Sequence, residues 1–256
     1  MKASQVAAQL YTVRDHTKTA SELAATLRKL RQMGYEAVQL SAIGPIPEED
    51  VAKMLADEGL VACSTHEDSN QILNEPAAMA ERVRKFGSAS TAYPYPSGLK
   101  FDDLEDVLGL AKRLNEAGRI MLEHGVSLAY HNHNIEFRRF GRRTMLEVIY
   151  EETDPRYLKG EPDTYWVQYG GGDPVEWCER LNGRLPLLHM KDYKTTAKDE
   201  PFFAEIGYGN LNWKKIVAAA EKAGCEWYIV EQDRWEHDPF ESLKMSFEYI
   251  RDHLCA

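Results

Sequence analysis

In the stretch SLAYHNHNIEF, Ser127 to Phe137, two of the chain's eight histidines, His131 and His133, stand one residue apart at the end of an apolar run, with Glu136 close behind. In a β-strand residues i and i+2 face the same side, so both imidazoles would point together. Imidazole ligates transition metals and moves protons near neutral pH. Comparable groups end other short apolar runs: Asp163 in GEPDTYW, His189 in LLHMKDY and Glu231 in YIVEQD, with His66 in STHED and Gln9 and Arg14 in QLYTVRD. A lone charge is costly to bury at the end of an apolar strand, so Asp163, His189 and Glu231 are read as functional. Two carboxylates with one or more imidazoles suit a divalent ion such as Mn²⁺, Co²⁺, Zn²⁺ or Fe²⁺ better than Ca²⁺ or Mg²⁺, which favour oxygen shells. Without a cation the carboxylates would repel one another, which is an independent reason to expect one. Of His131 and His133, one reads as a ligand and the other as a contact to substrate hydroxyls, while Glu136 is the fourth ligand, an acid/base or a solvated loop carboxylate. Lys191 and Asp192 either form an ion pair that orients His189 or face solvent. Trp166 and Tyr11 either stack on a sugar face or fill a core.

Such residues need elements that bring them together, and one local pattern supplies them. A helical stretch, a glycine and a short β-branched or aromatic run recur in LRQMGYEAVQL, LADEGLVACST, MLEHGVSLAYH, ERLNGRLPLLHM and AEKAGCEWYIVE, with RKFGSASTAYP as a looser case. Glycine ends a helix in the left-handed conformation, and a strand follows. The pattern predicts strands at Val6 to Leu10, Ala37 to Leu40, Val61 to Thr65, Ser90 to Tyr93, Val126 to His131, Leu158 to Asp163, Leu185 to His189 and Trp227 to Glu231, each followed by a helix. Eight β-then-α units over this length predict an α/β chain folded as a (β/α)8 TIM barrel in a single domain, residues 1–256. A doubly wound open sheet is the alternative, but QLYTVRD stands where GxGxxG would follow the first strand, and no GxxxxGK[ST] occurs. In a barrel the chemistry gathers at the C-terminal ends of the strands, where the residues above fall. YPYPSG and KTTAKDEPFFAEIGYGN read as irregular loops on that rim.

Composition bounds the partners. A net charge of −10 argues against nucleic acid and anionic membrane surfaces and favours a small molecule. No run approaches the roughly 20 apolar residues that span a bilayer, and MKASQVAAQLYTVRD has no apolar signal core, so the chain reads as cytoplasmic. The four cysteines are dispersed without a CxxC and read as reduced. Arg14 and the RRFGRR arginines, with Arg138, Arg139, Arg142 and Arg143, either bind phosphate or lie on the surface.

With YHNHNIEF, DTYW, GGDPVEW, GRLPLLHMKDY and IVEQD in this order, the chain resembles the xylose isomerase-like TIM barrel superfamily, in its sugar phosphate isomerase/epimerase group near the inosose dehydratase branch. The resemblance runs from QLYTVRD to the last helix. It implies a metal held by Glu, Asp, His and Glu from strands five to eight, and Asp163, His189 and Glu231 match the last three. The strand-five position departs from that pattern, since His131 stands where epimerases carry Glu. Tyr208, in EIGYGNLNW, stands where many relatives place a glutamate. Endonuclease IV relatives need a basic DNA-facing surface, against which the net charge of −10 counts. The resemblance implies a metal-dependent sugar or sugar phosphate isomerase/epimerase working through a metal-stabilised enediolate, with a dehydratase or lyase on a keto-inositol or keto-sugar as the alternative. A non-catalytic sugar-binding barrel is the reading of another class. In the enzymatic readings Glu231 is ligand and base, Glu136 or His133 returns a proton, and Gln9, Arg14, His66, Trp166 and Lys191 contact substrate. A homo-oligomer is implied only by analogy with relatives, the aromatic loop TAYPYPSG being a candidate contact.

Overall fold

Mostly small side chains on the inner face of the strands and mostly bulky ones on the outer face decide how this sheet closes. The protein is described here from a computed structural model, over residues 1–255. The first half of the chain runs β1 (Val6–Gln9), α1 (Ala20–Met33), β2 (Ala37–Leu40), α2 (Glu48–Asp57), β3 (Val61–His66), α3 (Ser69–Asn74), α4 (Pro76–Lys85), β4 (Ser90–Tyr93), α5 (Leu104–Glu123) and β5 (Ser127–His131). The second half adds β6 (Arg139–Phe140), β7 (Arg143–Thr144), α6 (Met145–Glu151), β8 (Leu158–Glu161), α7 (Thr164–Tyr169), α8 (Pro174–Arg180) and β9 (Leu187–Met190). It ends with β10 (Asp192–Thr195), β11 (Pro201–Ala204), α9 (Trp213–Ala223), β12 (Trp227–Val230) and α10 (Pro239–His253).

Eight parallel strands pair in the order β8-β5-β4-β3-β2-β1-β12-β9. The two ends of that sheet meet through a single parallel bridge, Asp163 to His189, and two backbone bonds, from His189 N to Pro162 O at 3.0 Å and from Gly160 N to Arg184 O at 2.7 Å. This is the expected (β/α)8 barrel. All eight expected strands are present, with ends moved by a residue or two for local reasons. Pro162 and Pro186 lack the N–H that a ladder needs, so β8 stops at Glu161 and β9 starts at Leu187. Leu10 opens a 3₁₀ helix, Leu10–His16, instead of closing β1.

Ala7, Ala37, Cys63, Ala92, Ala129, Leu187 and Ile229 form a separate buried cluster inside the barrel. The much larger cluster between sheet and helices includes Val6, Ala8, Val38, Leu128, Leu188 and Val230. Period two along the strands separates the two sets. One step further along the inward row stand Gln9, Gln39, Thr65, His131, Glu161, His189 and Glu231, every one of them buried. A floor of mostly small side chains therefore carries a polar layer directly above it.

Some rim segments differ from the sequence reading. KTTAKDEPFF is not irregular: β10 and β11 pair as an antiparallel hairpin. RRFGRR forms a two-residue ladder between β6 and β7. DTYWVQY forms the unanticipated helix α7, with Asp163 as its N-cap. Among the described residues no helix is long and apolar enough to cross a membrane.

Candidate metal centre and cavity

The C-terminal rim surrounds a cavity of about 1140 Å³. Its walls include His66, His131, His133, Lys191, Glu231 and Asp233, with Tyr11, Tyr95, Tyr165, Trp166, Tyr169, Phe202 and Phe203 giving broad apolar faces. The hairpin β10–β11 supplies Pro201, Phe202 and Phe203, so it forms one side of the mouth.

Each central side chain is held by the element that carries it. Asp163 caps α7, its Oδ1 accepting from Trp166 N at 3.0 Å. That bond fixes the carboxylate and leaves Oδ2 facing the barrel axis group. Asn132, one residue past β5, accepts from Asp163 N at 3.1 Å and ties the end of β5 to that turn. His189 Nδ1 lies 3.0 Å from Glu231 Oε2 and 3.8 Å from Asp163 Oδ2. Lys191 follows His189 by two residues and so shares its face. Its Nζ meets Glu231 Oε2 at 2.7 Å, Asp163 Oδ2 at 3.0 Å and Asp233 Oδ2 at 3.1 Å.

The electrostatics follow from burial and proximity. Burial works against a charge on His189, yet the Glu161 and Glu231 carboxylates raise it to about 10. Burial opposes the charge on Lys191 as well, but Asp163, Asp233 and Glu231 hold its ammonium well above the usual lysine range. Burial tends to raise Glu231, and Lys191 and His189 overcome this and hold it well below the usual carboxylate range. Burial keeps His131 neutral and lowers His133 to about 4. An imidazole held neutral presents a lone pair, as a ligand must.

One ligand atom from each of His131, Asp163, His189 and Glu231 lies within 4.8 Å of the others, and so does a second set of His66, His131, Glu161 and His189. His131 Nδ1 is buried without a hydrogen bond, and Asp163 Oδ2 accepts none of good alignment despite the nearby Lys191 ammonium. Four carboxylates, Glu161, Asp163, Glu231 and Asp233, face this cluster against the cations of Lys191 and His189. Orphaned donor atoms and an excess of negative charge fit a divalent cation.

The structure thus brings together Asp163, His189 and Glu231, and of the candidates for a fourth ligand it places His131 beside them. His66, His133, Lys191, Trp166, Tyr11 and Arg14 also reach the cavity. Arg14 is held in place, donating to Tyr11 O at 2.8 Å and Asp233 O at 3.3 Å and lying over the Tyr11 ring. Three expectations are corrected. Gln9 does not reach the cavity: it lies in the layer beneath, fully buried, and spends its amide on Gln39 Oε1 at 2.6 Å. Glu136 does not reach it either, because the turn after β5 folds its carboxylate back to accept from Tyr130 Oη at 3.0 Å and His133 N at 2.8 Å. Asp192 makes no pair with Lys191, since alternation along β10 turns it outward onto the loop before α9. The RRFGRR arginines and Tyr208 also stand off the cavity wall, Tyr208 being 59% exposed.

Glu161 and Gln39 were missed from the sequence. Glu161 accepts from His66 Nε2 and from Gln39 Nε2, each at 2.6 Å. The signal was present in LKGEPD, where Glu161 and Asp163 stand two residues apart, the spacing that shares one face of an extended chain.

Among curated proteins, the chain is 28% identical over 158 residues to an inosose dehydratase of Geobacillus thermodenitrificans, covering 54% of this chain and 52% of that one. It is 26% identical over 206 residues to an inosose dehydratase of Lactiplantibacillus plantarum, covering 71% and 66%. The matches span about half to two thirds of the length of these relatives. Among solved structures, a sugar phosphate isomerase/epimerase from Parabacteroides distasonis superposes with a TM-score of 0.82 at 23% identity, over 99% of this chain and 96% of the other, a likeness of fold. Residues 27–253 match the family described as the xylose isomerase-like TIM barrel, and the chain belongs to that family.

Proposed function

We propose that this barrel is a metal-dependent enzyme that removes the proton α to the carbonyl of a polyhydroxy ketone and eliminates the β-hydroxyl as water. The observation that carries this reading is the placement of the carboxylates. Within the ligand set Glu231 is the carboxylate that lines the cavity, whereas Glu136, the other base expected from the sequence, is folded away from it. His131, Asp163, His189 and Glu231 would hold the cation, which when bound polarises a carbonyl oxygen and offsets the negative charge developing on it.

The chain's own groups account for the proton. The Lys191 ammonium, 2.7 Å from Glu231 Oε2, favours the ionised carboxylate that is ready to accept. Glu231 takes the α-proton, the C–H electron pair forms the new C=C bond, and the β C–O bond breaks. The proton then passes from the Glu231 carboxyl to the departing hydroxide, so water leaves and the enzyme returns to its starting charge. A single base on one face of the substrate suffices for this sequence, whereas epimerisation needs a second group on the opposite face. The buried nitrogens His133 Nδ1 and Trp166 Nε1, which have no hydrogen-bond partner among the described residues, are suited to substrate hydroxyls. The aromatic walls suit the C–H faces of a ring. The names of the curated relatives support a keto-inositol as the first substrate to try.

An isomerase or epimerase is the second reading, and Asp233 favours it. Its carboxylate lines the cavity 3.1 Å from Lys191 Nζ and would be the second base. One experiment separates the two: zinc-, manganese-, cobalt- or iron-loaded protein is incubated with keto-inositols and ketoses in deuterated water. Dehydration yields a conjugated product lighter by one water, with ultraviolet absorbance. Epimerisation yields a product carrying one deuterium and every hydroxyl. Glu231→Gln is expected to lower either rate by roughly 10²–10⁴-fold. Neither a dehydrated nor an epimerised or isomerised product from any substrate would leave a sugar-binding barrel in place of an enzyme.

A further inference from the structure

Beneath the cavity, a row of buried amides runs in one direction. Tyr11 N donates to Gln9 Oε1 at 3.3 Å, Gln9 Nε2 donates to Gln39 Oε1 at 2.6 Å, and Gln39 Nε2 donates to Glu161 Oε1 at 2.6 Å. The direction is fixed at both ends, because a backbone N–H only donates and a carboxylate accepts. Turning the Gln39 amide over would set NH₂ against NH₂ at Gln9 and oxygen against oxygen at Glu161. All three side chains are fully buried, so water cannot relieve such a mismatch.

Gln39 Oε1 lies 2.6 Å from His189 Nε2. An oxygen fixed as acceptor at that distance requires Nε2 to carry a proton. When a cation takes the place of a proton on this ring, the nitrogen that is freed is then Nδ1, which faces Glu231 at 3.0 Å and Asp163 at 3.8 Å. Nε2 is the nitrogen that faces Glu161, at 3.5 Å. Of the two overlapping donor sets, the one through Glu161 is therefore denied its His189 lone pair.

We infer that Gln39, held by Gln9 and Glu161, is a positioning residue that fixes the His189 tautomer and so directs a single cation to His131, Asp163, Glu231 and His189 Nδ1. The inference rests on the cation reading proposed above. It gives a role to two glutamines and a glutamate that do not line the cavity, and it explains why the layer beneath the site is polar when the floor below it is apolar.

Zinc is the probe, being diamagnetic and free of redox chemistry. Two readouts are taken: the zinc dissociation constant of the unsubstituted protein and of Gln39→Met, and nitrogen-15 spectra of histidine-labelled, zinc-loaded unsubstituted protein, with His189 assigned by its loss in His189→Asn. The expected result is zinc on His189 Nδ1, with a slowly exchanging proton on Nε2. Affinity is expected to fall roughly 10–100-fold in Gln39→Met. Zinc on Nε2, or unchanged affinity in a folded Gln39→Met, overturns the tautomer lock and leaves the metal centre standing. If the unsubstituted protein binds no zinc, the metal centre itself falls and the lock with it. Should Gln39→Met fail to fold, the spectra of the unsubstituted protein decide.

Discussion

Glu136 illustrates how one residue's surroundings decide its role. Spacing alone left it as ligand, acid/base or loop residue; its observed partners are Tyr130 Oη and His133 N. Burial raises its carboxyl from 4.5 to about 7. The folded pKa thus exceeds the unfolded one, and the native state keeps a proton that the unfolded chain releases between those values. Stability is greatest below the unfolded pKa and is lost as pH rises to about 7, by up to about 3 kcal/mol. In Glu136→Gln the amide oxygen accepts from His133 N and the Tyr130 hydroxyl turns to accept from the NH₂ group. Urea unfolding at pH 5 and pH 8 is therefore expected to show a shallower decline in this variant than in the parent, and parallel declines would refute the assignment. A second expectation concerns the ligands: Asp163→Asn and Glu231→Gln should each lose metal by elemental analysis, and retention in both would remove the centre. Asp163, His189 and Glu231 were legible because each ends an apolar run. Glu161 was not, because it lies in the polar stretch KGEPD, where no apolar run marks it and Pro162 interrupts the strand period.

At the scale of elements, the strands were legible to within a residue or two because glycine and β-branched runs alternate with helical stretches throughout. The rim was less so. The hairpin β10–β11 has no Asn-Gly or Asp-Gly pair. Its turn instead places Asp199 at φ 62°, which asparagine and aspartate tolerate better than most residues. The helix α7 was hidden because TYWVQY is rich in residues that favour strands. What holds this rim is Asp192, at the start of β10. Its carboxylate accepts from Tyr193 N at 2.8 Å, Gly207 N at 2.9 Å, Gly209 N at 3.2 Å, Leu211 N at 3.2 Å and Trp213 Nε1 at 2.6 Å. Gly209 passes so close that a Cβ there would stand 2.3 Å from Asp192 Oδ1. Asp192→Ala strands these donors and is expected to cost about 3–5 kcal/mol in urea unfolding. Since Phe202 and Phe203 hang from the same hairpin, it should also weaken substrate binding while leaving metal content intact. Loss of metal in a folded Asp192→Ala would show that the rim and the centre are not separable in this way.

Over the whole molecule, the barrel is continuous except where β8 meets β9, and there two prolines thin the ladder to one bridge and two backbone bonds. The bridge joins Asp163 to His189, two members of the proposed ligand set, with Glu231 contributed by the end of the neighbouring strand β12. A cation held by these residues would cross-link the seam at its weakest point, so binding and closure are coupled. Ligand that binds only the folded state stabilises it by about 2.7 kcal/mol at a hundredfold excess over Kd. For a chain of this size that corresponds to a rise of roughly 5–10 °C in Tm. The position of the effect is as informative as its size, because a cross-link at the seam slows local opening there first. Hydrogen exchange on adding zinc or manganese should therefore slow most at residues 160–163 and 187–190, with little change in β2 and β3 on the far side, and Asp163→Asn should abolish both effects. Stoichiometric metal without a rise in Tm, or protection spread evenly around the barrel, would mean that the closure of this sheet owes nothing to the centre built across it.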